Sequence, residues 1–373
     1  MRRWLLLAAA ALALSLPQWL PVQAQTASPT ASAPGSTASP APSPRRWMGA
    51  TRASGRLTAP AIGLVINVDD AYSVEVGAHY IARRGLQPAQ VLRLSLPLHA
   101  SLSVAEFQRL QQQIADHFGP EIQALALAWV APYAVECQSI TGSLALGFDP
   151  DLCQRSCAPS RSSSYFNSAS SRPLADHGWR PSMLLAAPSA AQGKELIDRG
   201  AAADHSLALR ERAPVQALFV ATDDAARRVR MALYPPPGLL RSIGVEIQEL
   251  RAGALQTLPR LLLVSTGSVR VGLSPAPDWV SGGLGDHLTS FGGQLAGTHG
   301  QSTALDWIAS GATASHGAVS EPCNHLQKFP HPQVLLLHYL QGSTAIEAYW
   351  KSVAWPQQSL FIGEPLAAPF ARP

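Results

Sequence analysis

The sequence predicts an α/β fold, a mostly parallel sheet flanked by helices on both faces. Residues 61–68, AIGLVINV, are an unbroken apolar run rich in β-branched residues, the pattern of a strand buried on both faces. Apolar runs of this kind alternate with capped segments of helical period along the chain, which implies parallel strands joined by helical crossovers. The last third, residues 281–370, repeats the alternation. GGLGDHLTSFGG, ALDWIASGATASHGAVSEPCN, AIEAYWKSVAW and LFIGEPLAAPF read as strand, helix, strand, helix and strand.

The first 24 residues stand outside that pattern. Arg2 and Arg3 precede an apolar stretch from Trp4 to Leu16, and Val22-Gln23-Ala24 is a small-x-small cleavage site, so residues 1–24 read as a secretory signal peptide. Residues 25–45 are an Ala/Ser/Thr/Pro tether that buries too little apolar surface to order itself. An α/β domain is expected over 46–373, built as one body or as two packed halves of about 60–235 and 236–373.

Within the domain, Asp69 and Asp70 end the first strand, and Ser73 is placed to cap a helix through Arg84. Val91–Leu94 reads as a second strand. Ser103 with Glu106 forms a capping box for a helix to about Phe118. Strands follow at 125–130, 183–187, 217–221 and 260–265, with helices at 189–200 and 223–231. Residues 137–180 break the alternation with Gly, Ser, Pro and three cysteines, and a loop of that length in a compact domain is usually functional. Tyr165, Phe166 and Trp179 within it either pin it to the core or form a recognition surface.

Composition limits the partners. Of 373 residues, 47% are apolar and 14% charged, which favours a large core. The formal charge of +4 includes Arg2 and Arg3 and is +2 without them, and the lysines are Lys194, Lys328 and Lys351 alone. No basic stripe is present, so nucleic acid is not an expected partner. No later segment has the apolar length of a membrane span. Export to the periplasm or beyond would let cysteines oxidise. A disulfide is expected among Cys137, Cys153 and Cys157, with connectivity open. Three clustered cysteines without a fourth local ligand give no metal site. No strand is followed by G-x-G-x-x-G and no G-x-S-x-G elbow occurs, so no cofactor and no serine nucleophile is indicated.

Two segments carry a resemblance. LVINVDDAYSVEVGAHYIARRGLQPAQVLRL and WIASGATASHGAVSEP with GSTAIEAYWKSVAWPQQSLFIGEPLAAPF resemble an uncharacterised family of exported bacterial proteins, over roughly residues 60–373. The ending is also distantly similar to gingipain-type cysteine peptidases, which have the caspase-like fold. That resemblance implies a dyad of His287 and Cys323 on adjacent strand ends, with Gly363-Glu364-Pro365 matching a later Gly-Asp-Pro. This chain departs from the pattern at Leu288, where Gly follows the peptidase histidine, and at Glu364, where Asp is usual. His299 and His316, each followed by Gly, are alternative histidines.

A Cys–His pair would act by imidazole taking the thiol proton. Asp69 and Asp70 at a strand end, and Glu321 just beyond another, are candidate binding residues, because ligands collect outside the carboxyl ends of parallel strands. Two functions are therefore open. One is an exported binding protein on a peptidase-like fold, taking a peptide, protein or small molecule. The other is a cysteine peptidase using Cys323 and His287.

Overall fold

The apolar runs assemble into a sheet of eleven strands in a computed structural model that describes residues 45–208, 213–251, 255–297 and 299–372. The strands are β1 (Ile62–Asn67), β2 (Val91–Leu94), β3 (Ala124–Leu127), β4 (Ser182–Leu184), β5 (Val215–Ala221), β6 (Gly238–Leu240), β7 (Val245–Arg251), β8 (Leu261–Thr266), β9 (Trp279–His287), β10 (Ala314–Ala318) and β11 (Ser359–Gly363). Their spatial order is β2-β1-β3-β4-β11-β10-β9-β8-β5-β7-β6. The expected signal peptide and residues 25–44 of the tether lie outside the described residues. Residues 45–58 touch the rest of the domain: the Met48 and Leu57 amides donate to Gln333 and Glu347.

Neighbours pair in parallel except at β6 and β11. β6 is antiparallel to β7, and β11 is antiparallel to β10. β11 meets β4 at one pair, Ile362 opposite Leu184, and its direction there follows from what its ends touch. Its first residue accepts from Thr141, in the segment beyond the C-terminal end of β3. Past its last residue, Glu364 binds Arg84 at the far end of the helix after β1. β11 therefore runs against β4 as well as β10, and the nine other strands share one direction. Arg199, late in the helix after β4, agrees: it donates to the Ala312 carbonyl just before β10.

Alternation within β1 shows why both faces are covered. Leu64 and Ile66 join one core cluster with Val76, Tyr80, Ile197, Leu335 and Trp350. Val65 between them joins the opposite cluster with Phe107, Leu110, Ile114 and Leu127. The helix Ala71–Arg84 is capped by Asp70, whose side chain accepts from the Tyr72 amide, and not by Ser73. Ser73 is buried and takes the Asn67 amide instead. The Ser103–Glu106 capping box forms as expected over Val104–His117.

Other expectations need correction. Residues 223–231 give a turn and a 3-10 helix at Arg228–Leu233 in place of an α-helix. β6 and β7 lack a clear apolar signal and are not evident in the sequence. The 137–180 segment contains three short helices, Ile140–Leu146, Pro150–Gln154 and Pro173–His177. Tyr165 is fully buried and stacks edge-on with Trp179, which packs on Trp350, so these aromatics pin the segment to the core.

Candidate functional site

The carboxyl ends of β9 and β10 carry the residues of interest, and the register there decides what each side chain can do. Ser265, Asp286 and His316 are direct partners across β8, β9 and β10, so they share one face. Asp286 is fully buried and pairs with Arg230 at 2.6 Å. Ser265 donates to the same carboxylate at 3.2 Å, and Arg230 also donates to the Thr266 carbonyl at 2.6 Å. His316 Nδ1 lies 3.8 Å from the other Asp286 oxygen. Burial pushes His316 well below its ordinary pKa, with Arg230 and His287 adding to the effect, so it is neutral. This charged row is internal and does not open to solvent.

His287 follows Asp286 and so points to the opposite face, onto the helix Ala304–Ala309. Its Nδ1 accepts from Trp307 Nε1 at 2.8 Å, which places the proton on Nε2, and Nε2 donates to the Ser302 carbonyl at 2.8 Å. Burial holds its pKa down to about 4, against the opposing pull of the Ser302 carbonyl. Both ring nitrogens are thus committed to structural partners, and the ring is 1% exposed.

Cys323 is bonded to Cys157, with the Cα atoms 5.2 Å apart, and Cys137 is bonded to Cys153, with Cα atoms 5.3 Å apart. The first three cysteines thus supply one internal bridge, and the third reaches back to Cys323, a pairing the sequence expectation did not include. In this oxidised state Cys323 has no thiol, and the structure does not join it to His287. Cys323 and Asn324 are consecutive non-glycine residues with positive φ, 56° and 47°. Such backbone persists where surrounding contacts hold it. The Cys323 amide donates to Glu321 at 2.7 Å, and the Asn324 amide group donates to the Ala226 carbonyl at 3.0 Å.

A cavity of about 310 Å³ opens beside this turn. Its walls are Ala226 and Arg227 on one side, Leu288, Thr289 and Ser290 beyond β9, and Glu321 to Asn324 with Phe329 beyond β10. Arg227 is held by Asp224 at 2.7 Å, and its buried Nε has no partner. Lys328 lies behind the turn. Its ammonium donates to the Ser156 carbonyl at 2.7 Å, and burial lowers its pKa to about 8 while Glu321 opposes that shift. His287 is not in the cavity wall.

A larger, more open groove of about 520 Å³ lies between residues 270–276 and the helix Ala304–Ala309. Its polar groups are already engaged: Asp306 caps that helix and Arg270 Nε donates to the Gly300 carbonyl. The smaller cavity is the better candidate because it lies outside parallel strand ends and carries both an arginine and a carboxylate in its wall.

The remaining candidates disperse. Glu321 joins the cavity. Asp69 accepts from Ser95, and Asp70 caps its helix. Both end β1, four strand steps from β10, so they lie on the same edge but roughly 19 Å away at normal strand spacing. Glu364 lies at the opposite edge, fully buried against Arg84. His299 stacks on Phe291. Among the described residues, no group of three His, Cys, Asp or Glu is placed to hold a metal ion, and no helix is long and apolar enough to cross a membrane.

The sequence reading missed Arg227, Asn324, Lys328 and Phe329. One signal was available: Asp286 is a charge within a strand buried on both faces, which requires a buried cation. That cation is Arg230, one helical turn from Arg227.

No protein-family model and no curated protein matches the sequence. Among solved structures, the chain is distantly similar to the Arg-specific cysteine proteinase gingipain R, at 12% identity and a TM-score of 0.43, covering 84% of this chain and 78% of that one. A second structure, described as a protease, gives 9% identity and a TM-score of 0.43 over 84% and 79% of the two chains. The expected distant similarity to gingipain-type peptidases is therefore found.

Proposed function

We propose that this is an exported protein that binds a small ligand, or the end of a peptide, in the cavity between Arg227 and Glu321, without turnover. The observation that carries the reading is the cavity itself. It stands outside the ends of β9 and β10, with a cation, a carboxylate and an apolar floor of Leu288 and Phe329. Its volume is at the small end of ligand sites, and the mixed lining suits a compact ligand bearing both an amine and a carboxylate. Binding is favoured over peptidase chemistry because the Cys323 sulfur is bonded to Cys157 and both His287 nitrogens are occupied. The leader-like N-terminus and the two disulfides support a location outside the cytoplasm, in the periplasm or beyond.

The test has two arms. A panel of dipeptides is screened by thermal shift on the full chain. A true ligand at a hundred times its Kd stabilises by about 2.7 kcal/mol, and Arg227→Ala or Glu321→Gln should abolish the shift. Fluorogenic peptides are then incubated with protein reduced by dithiothreitol. Hydrolysis should not exceed that of Cys323→Ala; Cys323-dependent turnover would overturn the binding-only reading.

A further inference from the structure

We propose that the Cys157–Cys323 bridge is an exchangeable cover on the strand-end cavity: a dithiol reductant opens it by attack on Cys157, leaving the Cys323 thiol in the cavity wall as a site for modification. The inference rests on the cavity described above, and its chemistry can be tested without a ligand.

Direction of attack follows from exposure and charge. Cys157 is exposed and Cys323 half-buried, so an incoming thiolate reaches the Cys157 sulfur. The bond that breaks is Cys157 Sγ–Cys323 Sγ, and the electron pair leaves on Cys323. The second thiol of the reductant then displaces Cys157 from the mixed disulfide. In sum, the dithiol is oxidised to a disulfide, and the protein bridge takes up two electrons and two protons to give two thiols.

The leaving thiolate on Cys323 is placed near Arg227 in the cavity wall and near Lys328, which is bound to the residue before Cys157. Two carboxylates oppose them: Asp224, paired with Arg227 at 2.7 Å, and Glu321, with its Oε1 engaged by the Cys323 amide. Arg155, two residues from Cys157, is paired with Asp151. The other bridge offers a control within the same molecule. Cys153 is exposed too, but the residue beside Cys137 is Glu136, which disfavours a thiolate there, while Asp151 near Cys153 is paired with Arg155. Exchange rates follow the leaving-group and attacking thiolates, and cations favour the thiolate form. Exposure is similar at the two bridges, so charge decides between them.

Release also frees the backbone. Cys323 and Asn324 are held with positive φ, and the bridge is one restraint on that turn. The rest of the 137–180 segment has its own anchors: Ser163 and Asn167 donate to Ala354 and Lys351, and Gln357 receives the Arg161 amide. Loosening should therefore be confined to 155–160 and 321–325, which include a wall of the cavity.

In the experiment, the purified, oxidised full chain is exposed to rising dithiothreitol, quenched with iodoacetamide and mapped by peptide mass spectrometry. Cys157 and Cys323 should be alkylated at dithiothreitol concentrations at least about threefold below those needed for Cys137 and Cys153, since nearby cations favour the leaving thiolate. With glutathione as the thiol, the trapped mixed disulfide should be on Cys157. Arg227→Gln should slow opening of this bridge and leave Cys137–Cys153 unchanged; Lys328→Gln is a second variant should the first fail to fold. Hydrogen exchange of the reduced chain should show lost protection at 321–325, with β9 and β10 still protected. Earlier or simultaneous opening of Cys137–Cys153, glutathione on Cys323, or an unaltered turn would each overturn the proposal. Should exchange proceed as expected while dipeptides fail to bind, the binding reading fails alone.

Discussion

At the scale of single residues, one step along β9 separates two chemistries. Asp286 faces Arg230 on one side of the sheet and His287 faces Trp307 on the other, because side chains alternate along a strand. A histidine near a strand end is visible in the sequence; which face it takes, and that both its nitrogens find partners, depends on register. The buried histidines carry a stability consequence. Burial holds His287, His331 and His338 each at about 4, against an ordinary 6.5. Each depressed value means that the unfolded chain takes up a proton first as pH falls below about 6.5. The folded state is therefore at full advantage above 6.5 and loses stability down to about 4, where the native histidines also protonate. Urea unfolding midpoints should fall between pH 7 and pH 5. His338→Gln should reduce the slope of stability against pH by roughly 1.4 kcal/mol per pH unit, one proton's share. An unchanged slope would show that His338 does not titrate in that window.

At the scale of elements, the turn after β9 is fitted against β10 so closely that two glycines are required. The Gly293 amide donates to the Ala318 carbonyl at 2.8 Å, and the Gly292 carbonyl receives the Ala304 amide that opens the next helix. A Cβ on Gly317 would overlap the backbone of Gly292 and Gly293. Gly317→Ala must therefore lift the turn from the strand and strain both hydrogen bonds. The expected loss is about 3 kcal/mol or more, the upper part of the range for overpacking. Gly272→Ala, where an added Cβ meets nothing within 4 Å, should be close to neutral. Equal midpoints for the two variants in chemical denaturation would refute the close-approach account. The Ser103–Glu106 cap was legible from spacing alone. The Asp70 cap was not, because Ser73 is an equally good capping residue whose hydroxyl goes to the Asn67 amide only once β1 is in place.

At the scale of the whole molecule, the sequence conveys what is local and loses what is exchanged between distant segments. Continuous apolar runs announce β1, β5 and β8. β7 alternates buried and half-buried residues and carries Glu246, Gln248 and Glu249, so its place beside β5 shows only in the fold. The Cys157–Cys323 bridge spans 166 residues and was invisible for the same reason. So is the position of the last strand. β11 lies between β4 and β10, so the final element joins strands laid down before residue 185 to those that follow. β5 ends before residue 235 yet sits between β8 and β7, so a cut there would take a strand from between two strands that follow it in sequence. Both β4 and β10 are fully buried strands that would be left with unpaired edges if β11 were missing, and such edges invite association between chains. A chain ending at Ala354 should therefore show no cooperative unfolding transition and should aggregate. The Leu360, Phe361 and Ile362 side chains, all fully buried, would be lost from both faces of the core at once. Adding a peptide of residues 355–373 should restore a cooperative transition, since it supplies both missing ladders. Cooperative melting of the shortened chain by itself would mean that the two groups of strands fold without the strand between them.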